Sequence, residues 1–345
     1  MTETRRAPRP PASAVPTSEQ RPGAVAESAR LRRARRAVGF GAIAAALPYF
    51  VLKLIWICGG TLGIIDHERA RDSLLFVMNI VTLGMDAIAV TTALALTQRW
   101  GLRLPAPLVL FPMWLASGLL APIVAIAPLL PLFTADSVDR DPDPFLSPWV
   151  YLVVYGGFAL QGVLLAAAFT LYTRVRWAPL WTARNDGGPR GADRGPGHAV
   201  AAPLAAVAGV IAIGVAAVYL SWACGSTAGM PPALVAERGG TQYLVHASHG
   251  VFALLAAVGV AGLVHRRPRR RPVWIPVAAT WLGAGAMFGW GCWMLVTLGH
   301  KFADDRPGQL VLFTLTVTAQ IVTGLLIAVT AAFTVTERFG QVNQG

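Results

Sequence analysis

Eight apolar runs, at 38–60, 74–97, 106–132, 148–172, 200–224, 242–264, 273–298 and 309–334, set the terms on which this chain can fold. Coiled as a helix, a run of about 20 residues matches the thickness of a bilayer's hydrocarbon core, and none of the eight alternates as a half-buried strand does. Lipid offers no hydrogen bonds, so each run has to satisfy its own backbone. The runs therefore predict an all-α polytopic membrane protein with eight transmembrane helices. Pro48, Pro112, Pro122 and Pro128 fall inside runs, where packed membrane helices tolerate them. Composition agrees: with 55% hydrophobic and 13% charged residues, 345 residues hold more apolar side chain than a soluble domain can cover.

The net charge of +12 raises the question of nucleic acid. The basic residues lie in short blocks between the apolar runs, however, which is the pattern of topology signals and not of a binding face. No nucleic-acid partner is expected; the expected partner is the lipid bilayer. Basic residues exceed acidic ones in residues 1–36, around Arg99, from Arg174 to Arg194, from Arg266 to Arg271 and at the C-terminus. Acidic residues dominate the other loops, including the cluster from Asp136 to Asp143. The positive-inside rule then places both termini in the cytoplasm of a plasma-membrane, multi-pass protein.

Residues 1–36 carry no apolar periodicity and read as a disordered cytoplasmic tail, with no signal peptide. Residues 37–174 form a first four-helix unit and 199–335 a second. Between them, 175–198 is rich in Gly, Pro and Arg and reads as a flexible cytoplasmic linker; 336–345 is the C-terminal tail.

The two units repeat one another. W-I-C-G-G-T-L-G, Trp56 to Gly63, returns as W-A-C-G-S-T-A-G, Trp222 to Gly229, each time at the end of an apolar run. Arg99, Pro105, Trp114, Leu115 and Gly118 recur as Arg266, Pro272, Trp281, Leu282 and Gly285 at nearly the same offset, and Gln161 faces Gln320. Four helices per unit is an even number, so the units share one orientation, as parallel repeats about an axis along the membrane normal.

Polar side chains inside spans are costly and mark the candidate site. In the first unit they are Lys53, Asn79, Thr82, Asp86 and Gln161, with Asn79, Thr82 and Asp86 on one helical face. In the second, Asn79 and Thr82 become His246 and His249, Asp86 becomes Ala253 and Lys53 becomes Tyr219. At a rise of about 1.5 Å per residue, Lys53 lies roughly 8–10 Å and Asp86 roughly 16–18 Å below the outer surface, within reach of each other if their helices touch. Two readings stay open: a structural ion pair, or a proton-handling carboxylate in which desolvation favours the acid and the lysine favours the anion. Asp86 and Lys53 are thus the candidate catalytic groups, and Asn79, Thr82, His246, His249, Gln161, Gln320, Trp56 and Trp222 candidate ligand contacts.

His67, His300, Asp304 and Asp305 lie in outer loops near His246 and His249, but spacings across separate loops form no metal or haem motif, and neither metal nor cofactor is assigned. No phosphate-binding glycine loop is present. Cys58, Cys224 and Cys292 fall near outer helix ends; Cys58 and Cys224 are candidates for a disulfide across the axis, the alternative being inert buried thiols.

The stretches L-P-Y-F-V-L-K-L-I-W-I-C-G-G-T-L-G-I and R-W-G-L-R-L-P-A-P-L-V-L-F-P-M-W-L-A-S-G-L-L-A-P resemble a group of multi-span membrane proteins of actinobacteria. The resemblance covers most of the chain beyond the tail and implies eight spans, but no activity. Three function classes stand: a small-molecule or proton-coupled transporter with a pocket opening outward at the repeat interface; a membrane-embedded enzyme using Asp86 as general acid on a lipid-like or isoprenoid substrate, as in terpene cyclisation; and a non-catalytic membrane partner or immunity-type protein.

Overall fold

The computed structural model describes residues 28–130, 132, 145–183, 196–236, 238–265, 272–298 and 307–342. Eight long helices run through them: α1 (Ala29–Ile57), α2 (Ser73–Thr97), α3 (Ala106–Ile126), α4 (Pro148–Arg176), α5 (Pro196–Ala223), α6 (Gly240–Val264), α7 (Trp274–Leu298) and α8 (Pro307–Val342). Two short helices, Ala178–Thr182 and Pro232–Ala236, lie in connections. The described residues form no β-strand; Ile64 and Leu146 pair in an isolated antiparallel bridge.

Over the described residues, seven of these helices, α1 to α6 and α8, are long and apolar enough to cross a membrane. Phe76, Ile88, Leu108, Phe111, Leu152, Val258, Leu315 and Phe333 stand exposed on their outer faces. So much exposed apolar surface suits lipid and not water. The chain is built as a multi-pass membrane protein. The remaining long helix, α7, spends its positions on Gly, Ala and Trp, which carry little hydropathy but allow close contact.

Local chemistry explains the ends. Ser28 caps α1 by accepting from the Leu31 N–H (3.2 Å), and Asp72 caps α2 by accepting from the Leu74 N–H (2.9 Å). The Ser28 cap starts α1 inside the stretch expected as tail: residues 29–36 are helical, and Arg35 is fully buried, donating to the Leu96 carbonyl. Likewise the expected linker is shorter, because α4 continues to Arg176 and the helix Ala178–Thr182 follows. That short helix is held by a Trp181–Trp274 stack (5.6 Å) and a Val273 N–H to Ala183 carbonyl bond (3.1 Å). At the other terminus α8 runs on to Val342, through most of the expected tail. The acidic cluster from Asp136 to Asp143, Arg266 to Arg271 and residues 1–27 lie outside the described residues.

The repeated motif is a helix stop drawn twice, bond for bond. After α1, Gly59 takes φ +88°, its N–H bonds the Trp56 carbonyl (3.1 Å), and the Gly60 N–H bonds the Ile55 carbonyl (2.8 Å). After α5, Gly225 takes φ +108°, its N–H bonds the Trp222 carbonyl (3.2 Å), and the Ser226 N–H bonds the Ser221 carbonyl (3.0 Å). Both are Schellman caps, which need a residue free to adopt positive φ. A second turn follows each, Thr61 to Ile64 and Thr227 to Met230, with Gly63 and Gly229 again at positive φ. The two tryptophans clamp these turns: Trp56 donates to the Leu62 carbonyl and Trp222 to the Ala228 carbonyl, both at 2.9 Å.

In the first half α1 packs against α2 and α4, and α3 against α4; in the second α5 packs against α6 and α8, and α7 against α6 and α8. The halves meet chiefly where α3 crosses α7. There Gly118 and Gly285, which align when the two halves of the sequence are compared, lie backbone to backbone, so that a methyl group on either would run into the other helix. Trp281 donates to Ser117 Oγ (2.7 Å), Trp290 to the Leu119 carbonyl (3.2 Å), and Trp114 stacks on Phe288 (5.2 Å).

The halves are unequally tight. Within its most apolar stretch α2 has 6% of residues buried, against 61% for α6, and α2 makes only thin contact with α3 and α4.

Candidate functional site

Tyr49 and Lys53 are four residues apart on α1, so both project from one face of that helix. Lys53 Nζ sits 4.0 Å from the centre of the Tyr49 ring and 2.6 Å from Asp86 Oδ2 on α2. The Lys53 side chain is fully buried and that of Asp86 is 10% exposed. Tyr49 is wedged edge-on against Phe158 of α4 (5.2 Å) and Trp56 (6.4 Å). An ammonium is thus held between a carboxylate and an aromatic face, at the junction of α1, α2 and α4.

The pair ties α2 to α1, the helix on which α2 chiefly rests, and the Arg35 bond to the Leu96 carbonyl ties the same two helices near the other end of α2. Its neighbours on α2 contribute less. Thr82 spends its hydroxyl on the Met78 carbonyl (2.8 Å), one turn back, and is not presented to a ligand; Asn79 is half-buried. Gln161 is buried on α4. The Trp56 and Trp222 indole N–H groups are committed to their turns, which leaves only their rings as contact surfaces.

The second half builds a different cluster at the corresponding depth. Tyr219 of α5 lies edge-on to His249 of α6 (4.9 Å between ring centres) and 6.1 Å from His246. Trp222 approaches His246 (5.7 Å) and stacks on Phe313 of α8 (6.1 Å), and Trp290 of α7 covers His249 (5.5 Å). Ala253 stands where the first half has Asp86, fully buried and without charge. Arg238 lies at the nearby end of α5, donating to the carbonyls of Trp222 and Gly225 and closing that helix end.

The sequence-predicted residues therefore fall into two groups, Lys53 and Asp86 in one half and His246, His249 and Trp222 in the other, and the structure does not bring them into one pocket. Among the described residues no three His, Cys, Asp or Glu side chains converge on a metal-sized space. His67 is exposed, and His300, Asp304 and Asp305 lie outside the described residues. The expected disulfide is not formed: Cys58 and Cys224 are free, exposed thiols, each in the turn that ends the first helix of its own half, and Cys292 is free as well. The reason is that α1 and α5 pack within separate bundles, with α3 and α7 making the junction.

Tyr49, Tyr219 and Thr323 carry contacts or polar groups that sequence reasoning passed over. The available signal for Tyr49 was its spacing of one turn from Lys53; for Tyr219, its alignment with Lys53.

No family model matches the chain, and neither a curated protein nor a solved structure matches it.

Proposed function

We propose that the chain is a proton-coupled carrier of small molecules in the plasma membrane, built as eight spans in two parallel four-helix repeats with both termini cytoplasmic. The crossing of Gly118 on Gly285 supports the repeat reading, since equivalent residues meet only at a two-fold axis. The Schellman caps recurring at Gly59 and Gly225 support it too.

The observation that carries the carrier reading is the Lys53–Asp86 bond on a thinly packed helix. Packed helices have discrete arrangements, and a thinly packed helix with a buried ion pair to its neighbour is a natural two-state element. A proton delivered to Asp86 cancels the attraction to Lys53 and frees α2 to shift against α1; its departure restores the latch.

The test compares small molecules inside and outside cells of a deletion strain, complemented with wild type or with the Lys53→Met/Asp86→Leu double variant. Wild type is expected to restore the distribution in a manner abolished by a protonophore. The double variant, present in the membrane at wild-type level, is expected not to. Full restoration by that variant would refute the latch.

A further inference from the structure

We propose that the second half contains a binding site for a small uncharged amine, of the size of ammonia or methylamine, at Tyr219, His246 and His249, continued along α8 by Gln320. The site stands whether or not α2 acts as a latch.

Six buried polar atoms in this half have no hydrogen-bond partner among the described residues: Tyr219 OH, Arg238 Nε, His246 Nδ1, His249 Nδ1, Gln320 Oε1 and Thr323 Oγ1. All of these side chains except Arg238 are more than nine-tenths buried. An unpaired buried polar group costs about 1–3 kcal/mol, and folded proteins leave few of them. The rings of Tyr219, His246 and His249 are in mutual contact, so three of these atoms belong to one cluster. Gln320 follows Phe313 by two turns on α8, roughly 10 Å deeper, and Phe313 stacks on Trp222 at the cluster's outer end. The row thus descends from the end of α5 toward the middle of the bundle.

The chemistry of the row limits what fills it. Gln320 Oε1 only accepts and calls for a donor, while the hydroxyls and neutral imidazoles each donate or accept, so a neutral occupant that does both, as a free amine does, satisfies the row. Ring centres 4.9 to 6.1 Å apart are already in contact distance, which excludes any occupant larger than one or two heavy atoms from among them. Charge is excluded on similar grounds. No carboxylate among the described residues faces the cluster, Ala253 replaces Asp86, and the nearest cation is Arg238 at the mouth, beside Tyr243. A cation there would be buried without a counter-charge. Aromatic faces favour an N–H donor. The first half shows the same preference built in: at the position aligned with Tyr219 it places an amine, Lys53, against the Tyr49 ring, and supplies Asp86 because that amine is charged.

The experiment titrates methylamine into the purified full-length protein in detergent, reading tryptophan fluorescence from Trp222 and Trp290 and the thermal midpoint. A saturable change is expected, with the half-saturating total concentration falling about tenfold per pH unit as pH rises toward the amine's own pKa, because only the free base binds. His249→Leu is expected to weaken binding at least tenfold, and Gln320→Leu, at the deep end of the row, about twofold. Tyr219→Phe, which keeps the ring and loses only the hydroxyl, provides a variant that folds if the others do not, and is expected to weaken binding severalfold. No saturable response, as when buried water alone fills the row, would overturn the proposal. So would an equal response to tetramethylammonium, or wild-type affinity in all three variants.

Discussion

Removing one member of the Lys53–Asp86 pair is the sharpest test of how the first half is held. At 2.6 Å and an effective dielectric constant of about 20 the attraction amounts to about 6 kcal/mol, and several kcal/mol of desolvation per ion offset most of it. The pair as a whole is therefore close to neutral for stability, but either ion alone is not. A charge stranded in the span costs about 3 kcal/mol, and breaking a buried pair about 3–5 kcal/mol. Lys53→Met and Asp86→Leu are each expected to lower stability by about 3 kcal/mol, and the double variant to lie within about 1 kcal/mol of wild type. Reversible unfolding by SDS in bicelles, followed by tryptophan fluorescence, measures all four proteins. The pH dependence of the single variants has opposite sign. A lone carboxylate sheds its charge by taking a proton, so Lys53→Met regains stability as pH falls; a lone ammonium sheds its charge by losing one, so Asp86→Leu regains stability as pH rises. Single-variant losses that simply add in the double variant would refute the coupling on which the latch depends.

Other consequences are as direct. Gly118→Ala puts a methyl group into the Gly285 backbone and is expected to cost about 1–3 kcal/mol, whereas Gly84→Ala, with nothing within 4 Å, is expected to stabilise α2 by about 0.5–1 kcal/mol; the same unfolding assay compares them. Gly59→Ala meets no atom but forces alanine to φ +88°, for about 1–2 kcal/mol of strain, in that assay again. Trp222→Phe removes the indole bond to Ala228 and is expected to cost about 1 kcal/mol, measured in the same way. Cys58 and Cys224 are expected to react with a membrane-impermeant maleimide added to intact cells, without prior reduction; protection of both until the membrane is permeabilised would reverse the proposed orientation.

Periodicity and length were enough to place the helices, because lipid forces each span to close its own backbone. Their ends were harder. Ser28 starts α1 within a stretch whose arginines argue for solvent, and Arg35 is then buried by a contact with Leu96 that lies far away in sequence. The Lys53–Asp86 contact was legible as a possibility of reach, since both depths follow from residue counting, but which rings surround it was not: Phe158 comes from α4. The disulfide expectation failed because a shared motif fixes a shared local turn and says nothing about the distance between its copies. The unpartnered atoms of the second half were unreadable altogether, since hydrogen-bond satisfaction depends on neighbours from α5, α6, α7 and α8 at once.

The glycines of α7 bear on how the protein assembles. Gly283 faces α6, Gly285 and Gly289 face α3, and Gly291 faces α8, so the helix is shaped for protein on three sides. Each glycine that admits a neighbour also removes a side chain that lipid would have welcomed. α7 therefore packs fully only when α6, α8 and α3 are all beside it, which makes it the helix through which the two halves come together.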